Sequence, residues 1–222
     1  MKKILLAAAT RVEIDPFISY LQSHYQALEE DVFQNKKHQI HILISGVGMM
    51  QSAFTLARAL TKQPYDAAMQ AGIAGAFDTR LQLGEVVAVQ SECYGDLGAE
   101  DKEHFIDIID LGFIQPDAFP FQAGRIANEQ PLFIGAALPM YPSLSVNTVS
   151  GQQSTIDARS TQYHCALETM EGIAFHYACR IAKIPFLQVR AISNYVTPRN
   201  RNEWNIPLAV GNVNQYLIET FK

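Results

Sequence analysis

The chain has 222 residues, 48% of them apolar and 18% charged, which is enough for one continuous hydrophobic core and unlike a disordered or fibrous chain. Seventeen Lys and Arg against 22 Asp and Glu give a formal charge of −5 with no basic block, which argues against nucleic acid or an anionic membrane surface as a partner. No apolar run approaches the roughly 20 residues that span a bilayer. Three cysteines without CxxC spacing (Cys93, Cys165, Cys179) point to reduced thiols in a cytoplasmic protein, buried as small apolar residues.

Without low-complexity tracts, repeats or Gly/Ser linkers, residues 1–222 are expected to form one domain. Lys2 and Lys3 precede an apolar run too short for a leader, and Arg11, Glu13, Asp15 and Pro16 follow at once, so 4–9 predicts a buried first strand. Asp15-Pro16 then predicts a helix start, with Phe17, Tyr20, Leu21 and Tyr25 at helical spacing. Apolar runs at 40–44, 67–71, 86–89 and 186–192 predict strands covered on both faces. Helices are expected at 50–60, 169–182 and 205–221, and loops with irregular elements across 94–142. Strands alternating with helices make an α/β protein with helices on both faces of a largely parallel sheet.

In such sheets ligands bind beyond the carboxyl ends of the strands. The groups found there are Thr10 to Glu13, Ser45 to Gly48, Gly72 to Gly75, Glu92 to Asp96 and Arg190 to Asn194. Gly46-x-Gly48 has Gln51 where a dinucleotide fingerprint has its third glycine, and lacks the Lys-Ser/Thr of a phosphate loop, so by itself it is a tight strand-to-helix turn. Gly72 to Gly75 permits close backbone approach, to a ligand or to a packed helix. Glu168 and Glu171, three apart, read as solvated acids at a helix start. Arg190 inside a buried strand is either one half of a structural Arg–Glu pair or a functional group. His164, Cys165 and His176 lack His-x3-His or HExxH spacing, so no metal site is expected, and no Cys–His or GxSxG nucleophile is present.

Together, Glu13 after the first strand, Ser45 to Gly48, Gly72 to Gly75, Met170-Glu171-Gly172 and Arg190-Ala191-Ile192-Ser193-Asn194 resemble, in order, the purine nucleoside phosphorylase/nucleosidase superfamily. The resemblance implies a three-layer α/β/α fold around a mixed, mostly parallel sheet. It also implies N-glycosidic hydrolysis with no metal or organic cofactor, and a homodimer or larger homo-oligomer whose neighbouring subunit completes the pocket near residues 94–100. The segments 94–100 and 194–209 are similar to a subfamily that releases hypoxanthine from a nucleoside carrying a carboxyphenyl ketone arm.

Carried onto this sequence, the resemblance makes Glu13 the acceptor of a proton from water and Glu171 the partner of the ribose hydroxyls. Arg190 orients Glu13 or the water, and Asn194 contacts the departing base. Gly72, Ile73, Met170, Ser193, Gln152 and Arg199 are the expected substrate contacts, with Arg201 and Trp204 joining Arg199 around the arm. Adenine-specific members carry Asp at position 194, Ser at 73 and Asp-Ala-Phe at 152–154, where this chain has Asn194, Ile73 and Gln152-Gln153-Ser154. An amide donates to N7 and O6 of a 6-oxopurine, which an ionised carboxylate cannot, so Asn194 points to hypoxanthine. Two other activities remain open: a phosphorylase using Arg11 and the Gly46 to Gly48 turn to hold phosphate, and a non-catalytic nucleoside binder.

Overall fold

A computed structural model describes residues 1–102, 104–129 and 135–222. Its first half runs β1 (Lys2–Ala8), α1 (Arg11–His24), β2 (Gln26–Glu29), β3 (Val32–Gln34), β4 (His38–Ile44), α2 (Met49–Lys62), β5 (Ala67–Ala76) and β6 (Val86–Tyr94). Then come β7 (Gly98–Asp101), β8 (His104–Asp107), β9 (Ile126–Ala127), β10 (Met140–Ser145), α3 (Gln153–Tyr163) and β11 (Leu167–Thr169). The chain ends with α4 (Gly172–Ala182), β12 (Phe186–Tyr195) and α5 (Ile206–Phe221).

The alternation of β1 builds the layers. Ile4, Leu6 and Ala8 face one side, packing with Phe17 and Leu21 of α1 and Val213 and Leu217 of α5. Leu5 and Ala7 face the other, with Leu56 of α2 and Phe175 and Cys179 of α4. Burying each of these larger side chains contributes about 1.5–3 kcal/mol, so a polar residue at any of them would detach a helix from the sheet. The strand order is β11-β10-β6-β12-β5-β1-β4-β3-β2, with β9 on β6. The central pairs β4–β1, β1–β5 and β5–β12 are parallel, while β12–β6 and the outer β3 pairs are antiparallel. This is the expected mixed three-layer fold.

The sheet also closes on itself. Leu167 and Glu168 of β11 pair antiparallel with Ala76 and Gly75 of β5, which already pairs with β12 and β1. The closure brings the segment after β11 beside the carboxyl ends of β1, β5 and β12.

Several boundaries differ from expectation. α1 begins at Arg11 with extended Thr10 before it, and Pro16 lies inside the helix, where it removes one early intrahelical bond. The helix expected from 169 begins at Gly172, because Leu167 to Thr169 are held as a strand by β10 and β5. The described residues of 94–142 are not simply loops: they hold the β7–β8 hairpin, β9 and the start of β10, while 103 and 130–134 of that stretch lie outside the described residues. α3 buries only Ile156, so it carries little apolar periodicity to announce it. The three cysteines are free and buried, and among the described residues no helix is long and apolar enough to cross a membrane.

Candidate active site

Glu13 is positioned by the start of α1. Its Oε2 accepts the Thr10 backbone N–H at 2.9 Å and the Thr10 hydroxyl at 3.1 Å, and its Oε1 accepts the Ile73 N–H at 3.3 Å. The reach of a Thr-x-x-Glu capping box therefore turns the carboxylate back over β5. A methyl group on Gly72 would stand 2.7 Å from Glu13 Oε1 and 2.4 Å from Arg190 Nη1, so only glycine leaves room for both side chains beside this point of β5.

Arg190 is 1% exposed on β12. Its Nη2 donates to Gln70 Oε1 at 2.8 Å, and among the described residues it makes no direct ion pair, so the structural Arg–Glu pair does not form. Its charge instead acts on two acids: burial raises the carboxyls of Glu92 and Glu171, and Arg190 offsets part of that rise.

Glu171 is buried where β11 turns into α4, not solvated in a first helical turn. Its Oε1 accepts the Gly48 N–H at 2.8 Å. Gly48 has φ of +87°, a conformation that only glycine adopts freely, so the glycine turn is a donor to the acid and not merely a bend. Burial pushes the Glu171 carboxyl above its usual range; the charges of Glu13 and Glu92 push the same way, while Arg190 and the Gly48 N–H oppose them.

Asn194 follows a bulge at Ser193, where the β12 register slips against Ala74 and Gly75. The Ser193 hydroxyl donates to Asn194 Oδ1 at 2.8 Å, and Asn194 Nδ2 donates to the Tyr195 carbonyl at 3.0 Å. The amide is thereby fixed, with one N–H still to give.

These groups share one cavity of about 310 Å³. Glu13, Glu171, Ile73, Met170, Ser193 and Asn194 line it. Gly72 and Arg190 do not; they sit behind the wall, where a methyl group on Gly72 would crowd both Arg190 and Glu13. Gln152, expected to touch substrate, is exposed at the start of α3 and is not a lining residue, because the wall is taken by Val149 and Ser150 instead. Arg199 is exposed outside the lining, with its guanidinium 5.3 Å from the ring of Trp204, which does line the cavity; Arg201 approaches that ring at 5.9 Å.

Other lining residues escaped the sequence. Glu168, expected in water, is buried on β11, where it accepts the Ser150 N–H at 3.0 Å and Arg159 at 3.2 Å, fastening the 148–150 segment over the cavity. Burial raises its carboxyl despite those donors. Its only sequence signal was its place beside Met170-Glu171. Thr10 carried a usable signal, the capping-box spacing to Glu13. Among the described residues no group of His, Cys, Asp and Glu is arranged to hold a metal ion.

The arrangement offers three carboxylates, Glu13, Glu168 and Glu171, on one small cavity, a buried cation behind them and an amide donor. The sequence profile of the phosphorylase superfamily matches residues 3–222. The chain is 31% identical to the futalosine hydrolase of Streptomyces coelicolor, over 74% of this chain and 71% of that protein. It is 30% identical to the futalosine hydrolase of Acidothermus cellulolyticus, over 94% of this chain and 86% of that one. In structure it is similar to the 5'-methylthioadenosine/S-adenosylhomocysteine nucleosidase of Colwellia psychrerythraea solved with adenine, with a TM-score of 0.78 at 18% identity covering 99% of this chain and 94% of that one. The native futalosine hydrolase of Helicobacter pylori gives a TM-score of 0.77 at 14% identity, over 99% and 97% of the two chains. With its fold, its motif order and these relatives in agreement, this chain belongs to the phosphorylase superfamily.

Proposed function

We infer that this chain is a purine nucleosidase that hydrolyses futalosine to hypoxanthine and dehypoxanthine futalosine, a step of menaquinone biosynthesis. The observation that carries this reading is the convergence of Glu13, Glu171 and Asn194 on one cavity, in a chain whose relatives include futalosine hydrolases. Cleavage of a ribosyl–purine bond passes through an oxocarbenium-like sugar, as glycoside hydrolysis does. Glu13 takes the proton of the attacking water. Glu171, ionised, accepts the ribose hydroxyls and stabilises the cationic sugar, with Met170 against its apolar face. The base leaves with the electron pair of the broken bond, and Asn194 donates its remaining N–H to the oxopurine edge. Arg190 and Gly72 fix where Glu13 stands.

A phosphorylase is disfavoured by a specific observation. Arg11, the candidate phosphate ligand, faces Asp15 at 3.4 Å and Asp31 at 3.6 Å and does not line the cavity. Chromatographic measurement of hypoxanthine released from futalosine, with and without phosphate, tests both readings. Release independent of phosphate supports hydrolysis; a phosphate requirement overturns it, and binding without release restores the non-catalytic alternative.

The finer features belong to the same proposal. Arg199, Arg201 and Trp204 at the cavity mouth receive the anionic aryl arm through charge and stacking. The single 1–222 domain works in the cytoplasm as a homodimer or larger homo-oligomer. What supports the oligomer is an apolar groove of about 690 Å³ between α2 and α4, lined by Ala53, Ala57, Ile173, Tyr177 and Ile181 and continuing to Tyr94. Beside it Met50 and Phe54 are 80% and 65% exposed.

A further inference from the structure

Nothing in the nucleosidase chemistry uses Cys93, at the end of β6, or Cys165, just ahead of β11. Their sulfurs lie 3.9 Å apart. Arg125 is set against both: Nη1 is 3.2 Å from Cys93 Sγ and 3.4 Å from Cys165 Sγ, and Nη2 is 3.4 Å from Cys165 Sγ. The rest of the guanidinium is held by neutral acceptors. Nε donates to the Ser91 hydroxyl at 2.8 Å, and Nη2 to the carbonyls of Ser143 at 2.8 Å and Ser91 at 3.3 Å. No described carboxylate forms an ion pair with Arg125. The cation is thus anchored with no carboxylate opposite it, and the nearest group able to carry a negative charge is a thiol. A guanidinium this close to both sulfurs also opposes a bound metal cation, so the arrangement suits covalent thiol chemistry rather than metal binding.

Access exists. A cavity of about 360 Å³, separate from the nucleoside cavity, is lined by Cys93, Arg125, Gln162, Tyr163, Asp107 and Asp110, with the Cys165 sulfur outside the lining, 3.9 Å from that of Cys93. We propose that Cys93 and Cys165 form an oxidisable dithiol, activated by Arg125 and reached through this cavity, that small peroxides close to an intramolecular disulfide. The hydrogen bond between the two thiols lowers Cys165 and raises Cys93, and the positive charge of Arg125 favours the thiolate at both. Within the pair the proton is thus favoured on Cys93 and the negative charge on Cys165, which makes Cys165 the base that takes the Cys93 proton across the 3.9 Å contact when Cys93 reacts. Cys179 is the internal contrast: it is wholly buried with its thiol pushed up by burial, and no charge among the described residues acts on it to oppose that.

The reaction balances with the peroxide as oxidant. The Cys93 sulfur, which lines the cavity, attacks one peroxide oxygen as its proton passes to Cys165, breaking the O–O bond, and the departing hydroxide takes a proton to leave as water, giving a sulfenic acid at Cys93. The Cys165 sulfur then attacks Cys93 Sγ and gives up its proton, and the sulfenic hydroxyl leaves as a second water. Two thiols are oxidised and one peroxide is reduced. The bond would pull together the strand that bears Glu92 and the segment leading into Glu168 and Glu171, so base release should fall on oxidation and return with a dithiol reductant.

The test treats the full native chain at pH 7 with hydrogen peroxide, traps remaining thiols under denaturing conditions and maps peptides by mass. The expected product is a Cys93–Cys165 linked pair, two hydrogens lighter than the separate thiols, with Cys179 still free. In the native protein, iodoacetamide should label the Cys93/Cys165 pair at least about tenfold faster than Cys179, and Arg125→Met should remove most of that advantage while Arg125→Lys keeps part of it. Absence of the linked pair in the folded wild-type chain overturns the proposal, as does labelling of the pair no faster than Cys179. Neither readout depends on which nucleoside the active site takes.

Discussion

Gly72→Ala adds a single methyl group and removes no charge, so it isolates how far catalysis depends on where Glu13 stands. The new Cβ would lie 2.4 Å from Arg190 Nη1 and 2.7 Å from Glu13 Oε1, about 1 Å inside ordinary contact. Gly72 is not in the left-handed region, so alanine brings no backbone strain and even restricts the unfolded chain, worth about 0.4–1 kcal/mol. Arg190 is buried and tied to Gln70, so the more mobile partner is the Glu13 carboxylate, which would leave the Ile73 N–H. Overpacking of this kind costs about 1–3 kcal/mol, which a domain of this size survives with a Tm lower by roughly 2–10 °C. A general base displaced by about 1 Å loses about 10²-fold in rate. Thermal melting and kcat/KM for hypoxanthine release should therefore separate: a folded protein, a modest fall in Tm, and a loss of activity near a hundredfold carried mainly by kcat. A Tm that falls as expected with activity within threefold of wild type would refute the reasoning, since it would show that the Glu13–Arg190 arrangement at Gly72 does not limit the reaction.

Asn194→Asp exchanges the last free N–H at the base edge for a negative charge; kcat/KM for futalosine should fall about 10²-fold, and in competition the preference should move toward an adenine analogue. An unchanged preference would place base choice elsewhere. Removing the arm carboxylate from the substrate should raise KM about tenfold, equivalent to about 1.4 kcal/mol, with kcat kept, and a double Arg199→Ala, Arg201→Ala variant should abolish that difference. His176 is buried, with its pKa pulled down to about 4 by desolvation. Its neutral form therefore contributes stability above its unfolded pKa near 6.5 that is lost as pH falls toward 4, about 3 kcal/mol in all. Buried Glu92, Glu168 and Glu171, raised by burial, act in the opposite sense, their contribution being lost as pH rises. Denaturation of wild type and His176→Gln across pH 4–7 should thus show a steeper acid decline for wild type, and parallel curves would contradict it. Phe54→Asp beside the α2–α4 groove should yield a monomer by light scattering where the wild type is a dimer or larger, and a monomeric wild type would dispose of the interface.

The parts of this molecule legible in sequence are those whose cause is local. β1, β5 and β12 are covered on both faces, so they appear as mainly apolar runs, broken only by Gln70 in β5 and by Gln188 and Arg190 in β12 before their polar ends, and groups at their carboxyl ends are among those that converge on the cavity. α1 was misjudged by two competing local signals: Pro16 imitates a helix start, while the operative one is Thr10 with Glu13 three residues on. The β5–β11 pairing was invisible for a different reason. Three residues carry no periodicity, and their strand form is imposed by partners about ninety positions away at Gly75 and Ala76. Glu168 was misread with them, because a carboxylate in a strand looks solvated until Ser150 and Arg159 are brought to it. Gln152 failed by inheritance from a motif whose wall this chain builds with Val149 and Ser150.

The balance of charge around the cavity decides between attacking water and attacking phosphate. Glu13, Glu168 and Glu171 line the cavity, while the two guanidiniums near them, Arg190 acting on Glu92 and Glu171 and Arg159 bonded to Glu168, are behind the wall rather than on it. Whatever occupies the cavity meets carboxylates first. A sugar gaining positive charge is stabilised there, and the stabilisation grows as the bond to the base breaks, which is the condition for lowering a barrier and not merely binding a substrate. An incoming dianion would meet repulsion from the same groups. Because burial holds the Glu171 carboxyl above its usual range, that stabilisation is switched on only as Glu171 loses its proton. The nucleosidase should therefore gain kcat with rising pH through the raised Glu171 pKa, and Glu171→Gln, which cannot ionise, should lose both the rate, by about 10²-fold or more, and that limb of the profile. A glutamine variant that retains the acid limb would assign it to another group and take from Glu171 its place beside the sugar.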